Sequence, residues 1–164
     1  MAVKRAYPDD HTRETSQPMK TLSGLDGLFL HLETPATPMH VGSLSLLQLP
    51  ANHRGDFCKS VQRHYARRLS LAPVLSRKLA EMPLQLANPV WVQAEEVNMK
   101  HHVQRVELPR PGTQAQLEEC VGRLHSLLLD RTRPLWMVYI IEGLKSGHVA
   151  YYTKIHHALL DGQA

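Results

Sequence analysis

Three stretches of the chain repeat apolar residues at the three- and four-residue spacing that is typical of amphipathic helices. They cover residues 24–33, 55–70 and 113–130. Two of them begin with a capping pair, Ser23 with Asp26 and Thr113 with Gln116. The side chains of such a pair can satisfy free backbone groups of the first helical turn. The spacing and the caps together predict three helices.

The predicted helices differ in what they present to their surroundings. The apolar face of the first helix consists of Leu25, Leu28, Phe29 and Leu32. The second helix carries its basic residues away from its apolar face, and these are Lys59, Arg63, Arg67 and Arg68. Such a basic face is typical of a solvated helix surface. Contact with acidic lipid headgroups or other phosphates is the alternative.

Apolar runs bounded by glycine and proline predict the strands. They are residues 39–49, short segments around Trp91 and Val103, and two longer runs at 135–144 and 148–157. The two longer runs flank a glycine-containing loop, so they predict a β-hairpin. Helices that alternate with largely antiparallel strands indicate an α/β fold with helices packed on a mixed sheet.

Composition narrows the class of protein. The chain has 164 residues, of which 43% are hydrophobic and 21% charged, so it fits one globular domain or part of a larger one. A net charge of +4 suits an anionic ligand or an acidic membrane surface. Aromatic residues make up 5% and do not alternate with basic ones, so we expect no nucleic-acid partner.

The first twenty residues are polar, and we interpret residues 1–20 as a flexible N-terminal tail. The sequence shows neither a secretory signal nor a run of apolar residues long enough for a membrane-spanning helix. Cys58 and Cys120 form no CxxC pair, so we predict two reduced thiols in a cytoplasmic protein. Any contact with the inner membrane or with lipid inclusions would then be peripheral.

The candidate chemistry lies at the end of the last apolar run, where the sequence HHALLDG begins at His156. Neighbouring strand residues point to opposite faces, so His156 and His157 are predicted to face different surroundings, one a cleft and the other the layer beneath. A histidine that is neutral near pH 7 suits the role of general base towards a hydroxyl or thiol. Asp161 would fix the loop by holding an arginine or a backbone donor, and Gly162 would permit an unusual backbone angle.

Two other interpretations of these histidines stay open from the residues alone. In the first, His156 and His157 only end a strand, one packed in the core and the other exposed. A zinc site would combine His157 and Asp161 with His101 or His102, but the loop offers no clear third ligand, so no metal site is predicted. We expect His101 and His102 to lie in a strand-like run and to serve surface or sheet packing.

HHALLDG resembles the HHxxxDG motif of the CoA-dependent acyltransferases, which include chloramphenicol acetyltransferase and the condensation domains of peptide synthetases. Three further segments resemble the N-terminal part of bacterial wax ester synthase/diacylglycerol acyltransferases: LSGLDGLFLHLETPATPMHVGSL, RLHSLLLDRTRPLW and IIEGL before KIHHALLDG. The similarity runs from Leu22 to Gly162 in order. It implies the N-terminal half of a chloramphenicol acetyltransferase-like fold with two subdomains.

The resemblance also implies a reaction. Acyl-CoA would serve as co-substrate, with no bound cofactor, and its fatty acyl group would pass to a long-chain alcohol or to diacylglycerol, giving a wax ester or triacylglycerol. His157 would be the general base, His156 a supporting residue and Asp161 a structural one. The positions that the resemblance places near substrate or in the adjoining core are Pro134, Leu135, Trp136, His40, Gly42 and Gly162.

Enzymes of this family are longer, and their active site lies between two similar halves. We therefore expect residues 21–164 to be an incomplete N-terminal subdomain that needs a C-terminal half as partner, is inactive alone, and self-associates through uncovered apolar faces. One alternative is a non-catalytic relative that binds acyl chains or regulates a partner. Another is a condensation or small-molecule acetyltransferase domain, which shares the histidine motif.

Overall fold

The computed structural model describes residues 20–22, 24–80 and 89–160. Its elements in chain order are β1 (Lys20–Thr21), α1 (Gly24–Leu32), β2 (His40–Leu47), α2 (Phe57–Arg68), β3 (Arg77–Ala80), β4 (Val90–Gln93), α3 (Met99–His102), β5 (Val103–Glu107), α4 (Gln114–Ser126), β6 (Trp136–Glu142) and β7 (Val149–His156). Short 3-10 turns follow α2 at Leu69–Leu71 and Pro73–Ser76, and another follows β7 at His157–Leu159.

The main sheet has four strands in the order β2-β7-β6-β5. β7 runs antiparallel to both of its neighbours, β2 and β6, whereas β5 and β6 are parallel and are joined by a crossover through α4. A smaller antiparallel sheet has the order β1-β4-β3. The predicted mixed, largely antiparallel architecture with flanking helices and the predicted C-terminal hairpin are therefore confirmed.

Helices α2 and α4 cover opposite faces of the main sheet. The Tyr65 hydroxyl of α2 lies 2.6 Å from the Tyr151 hydroxyl, and the His125 ring of α4 lies 2.6 Å from the Tyr152 hydroxyl. Because Tyr151 and Tyr152 are consecutive on β7, their side chains point to opposite faces. The hydrophobic core lies between these two helices and the sheet. β6 is almost wholly buried there, and Ile140 and Ile141 are fully buried.

Helix α1 forms as predicted, but the three leucines of its apolar face do not pack inward against the described residues. Leu25, Leu28 and Leu32 are 60%, 48% and 51% exposed, while Leu30 on another face is buried. The edge strand β2 is similarly uncovered over most of its length. None of the helices in the described ranges is both long and apolar enough to cross a bilayer.

Two local predictions were wrong. Helix α4 has the predicted capping box, but it ends at Ser126 rather than near Asp130. The Lys154 ammonium donates to the carbonyls of Leu124 and Leu127 and so closes the helix terminus early. His101 and His102 belong to the helical turn α3 rather than to a strand, because the Asn98 side chain accepts from the backbone N–H groups of Lys100 and His101 and begins a turn there.

Candidate active site

The two histidines of HHALLDG sit on either side of the end of β7. β7 ends at His156, and the 3-10 turn begins at His157, whose backbone N–H donates to the Met39 carbonyl at 2.9 Å. His156 is fully buried, whereas His157 is half-buried. The difference agrees with the alternation of side chains along a strand, on which the sequence-based prediction rested. Asp161 and Gly162 lie outside the described residues, so their predicted roles stay predictions.

The His157 ring is held from one side by an aromatic neighbour. It stacks on the Phe29 ring of α1, with ring centroids 4.9 Å apart and planes inclined by 21°. Within the part of the chain that the structure describes, no side chain or backbone group forms a hydrogen bond with its ring nitrogens. Stacking fixes the plane of the imidazole and leaves its edge, which carries the nitrogens, open to a ligand.

His156 is fixed in one tautomer. Its Nδ1 accepts a hydrogen bond from the backbone N–H of Ala158 at 3.0 Å, so the proton of the neutral ring lies on Nε2. Nε2 is 3.3 Å from Glu33 Oε1, off the axis of a good hydrogen bond. Burial lowers the pKa of His156, and the Glu33 carboxylate opposes that shift. His156 is therefore a neutral, internal residue that holds the turn, and it is poorly placed to reach a substrate.

Glu33 is the residue that the sequence analysis missed. Its side chain is only 1% exposed, and its carboxylate accepts from the Met39 backbone N–H at 3.2 Å and from Arg131 Nε and Nη2 at 3.3 and 3.1 Å. Arg131 Nη2 also donates to the Leu30 carbonyl at 2.6 Å. One carboxylate thus connects the end of α1, the start of β2, the turn before β6 and the buried histidine.

The two arginines that precede Pro134 pair with different carboxylates. Arg131 pairs with Glu33, whereas Arg133 pairs with Asp130 at 3.0 Å. The Asp130 carboxylate also accepts from the backbone N–H and hydroxyl of Thr132, and these hydrogen bonds together with Arg133 lower its pKa. A carboxylate directly after an apolar helix, followed by Thr-Pro, was the only local sign that Glu33 turns inward.

His40 and Gly42 were both predicted near substrate; His40 is buried beside His156, whereas Gly42 lies two residues further along β2 and is exposed. His40 pairs with His156 across β2 and β7, and its Nε2 lies 2.7 Å from the His125 carbonyl. Burial lowers the pKa of His40. A side chain at Gly42 would place Cβ 2.5 Å from the Tyr152 hydroxyl, so Gly42 permits the close approach of that ring.

The same layer contains a buried lysine opposite Gly42. Lys154 is 1% exposed, and burial lowers its pKa to about 8, while the Glu33 carboxylate opposes the shift. Its Nζ donates to the backbone at the end of α4. This cation is therefore used for helix capping, and it does not face the half-open side where His157 lies.

Pro134, Leu135 and Trp136 support the histidine turn from the core. The Leu135 carbonyl accepts from the His156 N–H at 3.0 Å. Trp136 is buried, its Nε1 donates to the Leu75 carbonyl at 2.8 Å, and its ring stacks on that of His102. Burial lowers the pKa of His102 to about 4, so this histidine is neutral and packs in the core.

Comparison with known proteins shows the family to which this chain belongs. The family model for the wax ester synthase/diacylglycerol acyltransferase catalytic domain matches residues 22–164. Probable diacylglycerol O-acyltransferase tgs3 of Mycobacterium tuberculosis (strain CDC 1551 / Oshkosh) is 40% identical over 141 residues, which cover 86% of this chain and 51% of that protein. The chain thus spans about half the length of this relative.

Comparison with solved structures agrees with this family match. The wax ester synthase/diacylglycerol acyltransferase of Marinobacter aquaeolei VT8 is 38% identical with a TM-score of 0.74, over 88% of this chain and 36% of that one. A starter condensation domain of rhizomide synthetase, at 12% identity and a TM-score of 0.63 over 89% of this chain and 34% of that one, shares the fold alone. By its sequence and its fold, this chain belongs to the wax ester synthase/diacylglycerol acyltransferase family.

Proposed function

We propose that this chain supplies the catalytic histidine of an O-acyltransferase that moves a fatty acyl group from acyl-CoA to a long-chain alcohol or to diacylglycerol. The observation that carries the proposal is the His157 ring, which is stacked on Phe29, half-buried and without a hydrogen-bond partner among the described residues. A base must keep one nitrogen free for the proton that it removes. Family membership supplies the reaction class.

In the proposed step, a nitrogen of neutral His157 accepts the hydroxyl proton while the hydroxyl oxygen attacks the thioester carbonyl. A C–O bond forms and the C–S bond breaks, and the proton on His157 then passes to the departing thiolate. The ester and free CoA are the products, and His157 returns to its neutral form. The transfer is direct, with no acyl-enzyme and no protein-bound cofactor.

The buried contacts would contribute by holding the base in place. Three hydrogen bonds fix the backbone around it, to Met39, to Leu135 and between Ala158 and the His156 ring. Glu33 and Arg131 tie the same turn to α1. Because these groups are already ordered, little freedom would be lost as the reacting atoms align.

A complementary half of the fold is part of the proposal. The leucines of α1 and the edge strand β2 expose apolar surface close to the turn that bears His157. We propose that a C-terminal half packs there, supplies the opposite wall of the site and provides most of the contacts to CoA. The substrates are then enclosed between the two halves.

The test joins this chain to the C-terminal part of a longer family member and measures ester formation from palmitoyl-CoA with hexadecanol or diacylglycerol. His157→Ala is expected to lower turnover by about a hundredfold or more. His148→Ala, which removes a histidine at the opposite end of β7, serves as the matched control and should retain turnover. Near wild-type turnover by His157→Ala would refute the assigned role.

A further inference from the structure

An apolar cavity of about 480 Å³ lies between α2 and the main sheet, and it takes no part in the chemistry described above. Most of its lining is aliphatic or aromatic, from α2, from the turns after it and from β7: Phe57, Val61, Tyr65, Leu69, Leu75 and Tyr151. His157 does not line it. The cavity is thus a separate feature on the α2 face of the sheet.

The polar groups within this lining are already satisfied. The hydroxyls of Tyr65 and Tyr151 are 2.6 Å apart and bond to each other. The Tyr65 ring stacks on Trp136, with centroids 5.4 Å apart, and Trp136 is anchored in turn by the Leu75 carbonyl. Burial raises the pKa of Tyr151, so this hydroxyl stays neutral. The wall is rigid and presents aromatic faces, which favours a hydrocarbon occupant.

The Arg68 guanidinium is charged, but it lies at the exposed rim of the cavity rather than inside it. His64 and Arg68 form part of the lining, but both are exposed, and Arg68 Nη1 lies 3.1 Å from His64 Nδ1. Below this rim, a charged or strongly polar ligand would lose its hydration without finding a charged partner. A saturated chain has no such cost.

A strip of partly buried side chains runs along one face of β7 from the cavity to the end of the strand. Thr153 and Ile155 follow Tyr151 on the same face of β7, and both are only partly buried although β7 is an inner strand. On β2, Ser43 pairs with Thr153, Val41 pairs with Ile155 and Ser45 pairs with Tyr151, and all three β2 residues are exposed. In the described part of the chain, α2 therefore leaves this strip open.

The strip has the length of a long acyl chain. Six residue positions separate Tyr151 from His157, which corresponds to about 20 Å along an extended strand. An extended palmitoyl chain is of similar length. A chain that lies along the strip with its carbonyl at the turn would place its terminal carbons against Tyr151 and α2.

We propose that the cavity binds the distal end of a long, linear acyl chain whose thioester carbonyl lies at His157. The position of the carbonyl rests on the proposed function, whereas the binding of the chain end rests on the cavity itself. The cavity would then select chain length, because only long chains reach it. Each methylene that enters is expected to raise affinity about fourfold.

The first experiment uses this chain and a neutral probe, the N-acetylcysteamine thioester of palmitate. One version carries a photoreactive diazirine at the terminal carbon, and another carries it next to the carbonyl. After irradiation, mass spectrometry should find the terminal probe on residues 57–75 or on Tyr151, and the carbonyl-side probe on α1 or on the turn after β7. Absence of saturable labelling, or a terminal probe that labels other surfaces, would overturn the proposal.

A matched pair of variants sharpens the test. Val61→Trp fills the cavity, whereas Val121→Trp makes the same change on α4, outside the lining. We expect Val61→Trp to weaken binding of the palmitoyl thioester by at least about tenfold and to leave the octanoyl thioester unchanged. Equal binding of the palmitoyl thioester by both variants would contradict the proposal. If Val61→Trp does not fold, the labelling of the unmodified chain decides alone.

Failure of this inference and failure of the proposed function give different results. If His157→Ala keeps its turnover in the joined enzyme while the terminal probe still labels the cavity, the catalytic role is refuted and the chain-end site stands. If labelling misses the cavity while turnover depends on His157, the chain-end site is refuted and the catalytic role stands.

Discussion

Two consecutive histidines, His156 and His157, lie on opposite sides of the end of β7, and their surroundings are built in contrasting ways. The layer around His156 is below β7, and the face that bears His157 is above it. Below, His156 has a fixed tautomer, a carboxylate neighbour and no exposure. Above, His157 has one stacking contact and an open edge. A side chain that is buried and held by its neighbours stabilises a fold, and one with an open edge is available for chemistry. The contrast supports the proposal that His157 acts as the base and that His156 holds the turn.

The carboxylate at the centre of the buried layer should have the largest effect on stability. Glu33→Ala leaves Arg131 and His156 without their shared partner, and removal of one member of a buried ion pair is strongly destabilising. Since the Arg131 side chain is 45% exposed, we expect a loss of about 2–3 kcal/mol in the free energy of unfolding. Urea denaturation measures it.

Glu107→Ala, which removes an exposed carboxylate at the end of β5, is the control and should change the free energy of unfolding by less than about 0.5 kcal/mol. Equal stabilities of the two variants would show that the Glu33 network does not hold the layer together.

Acid should weaken the buried layer specifically. Burial depresses the pKa of His156 in the folded chain, so between that pKa and about 6.5 the unfolded chain binds a proton that the folded chain does not. The contribution of neutral His156 to the free energy of unfolding is therefore complete above pH 6.5, and it is lost as the pH falls from there towards the pKa of His156 in the folded chain. We expect the difference in unfolding free energy between wild type and His156→Gln to shrink by about 1–2 kcal/mol from pH 7 to pH 5.

The same titration of His148→Gln provides the reference, because His148 lies in the loop at the other end of β7. A wild-type advantage over His156→Gln that is independent of pH would contradict the assignment of a neutral His156.

A smaller effect is expected where β2 meets β7. Gly42→Ala would push Cβ into the Tyr152 ring, which is fixed by its hydrogen bond to His125. We expect a loss of about 1–2 kcal/mol in thermal or urea unfolding. Gly122→Ala on α4, where no atom lies within 4 Å of the new Cβ, should instead stabilise by about 0.5–1 kcal/mol. A neutral Gly42→Ala would mean that the layer is looser than the contacts indicate.

The smallest effect on stability should come from the uncovered edge strand. Leu44→Ser with Leu46→Ser removes exposed apolar surface on β2 and should change the unfolding free energy by less than about 0.5 kcal/mol. Sedimentation velocity should nevertheless show less self-association than in wild type. Leu71→Ser, at an exposed site on the turn after α2, is the control. A wild-type chain that is already monomeric would refute the expectation.

Local patterns predicted most of the elements because the physics that forms them is local. Periodicity located α1, α2 and α4, the Thr113–Gln116 box located the start of α4, and the apolar runs located the hairpin. The end of α4 was missed because its cause is distant: Lys154 reaches the helix terminus only when β7 is in place. The turn at His101 was missed because its cap, Asn98, lies in a stretch without helical periodicity.

The candidate site likewise combines features that local patterns predict with contacts that only the folded chain creates. Alternation along a strand was enough to give His156 and His157 different surroundings. The pairing of Glu33 with Arg131 joins residues nearly a hundred positions apart, and no spacing rule connects them. The cavity behind α2 depends on the Tyr65–Tyr151 contact between a helix and a strand, which only the folded chain brings together.

The most direct test of the central claim is chemical rescue in the joined enzyme. Single-turnover ester formation is measured for His157→Ala and His156→Gln, with and without added imidazole. The account predicts a loss of about a hundredfold or more in His157→Ala that imidazole partly restores, and no rescue of His156→Gln, because only the missing ring of His157 leaves a space for a free base. Rescue of His156→Gln alone, or a wild-type rate in His157→Ala, would contradict it.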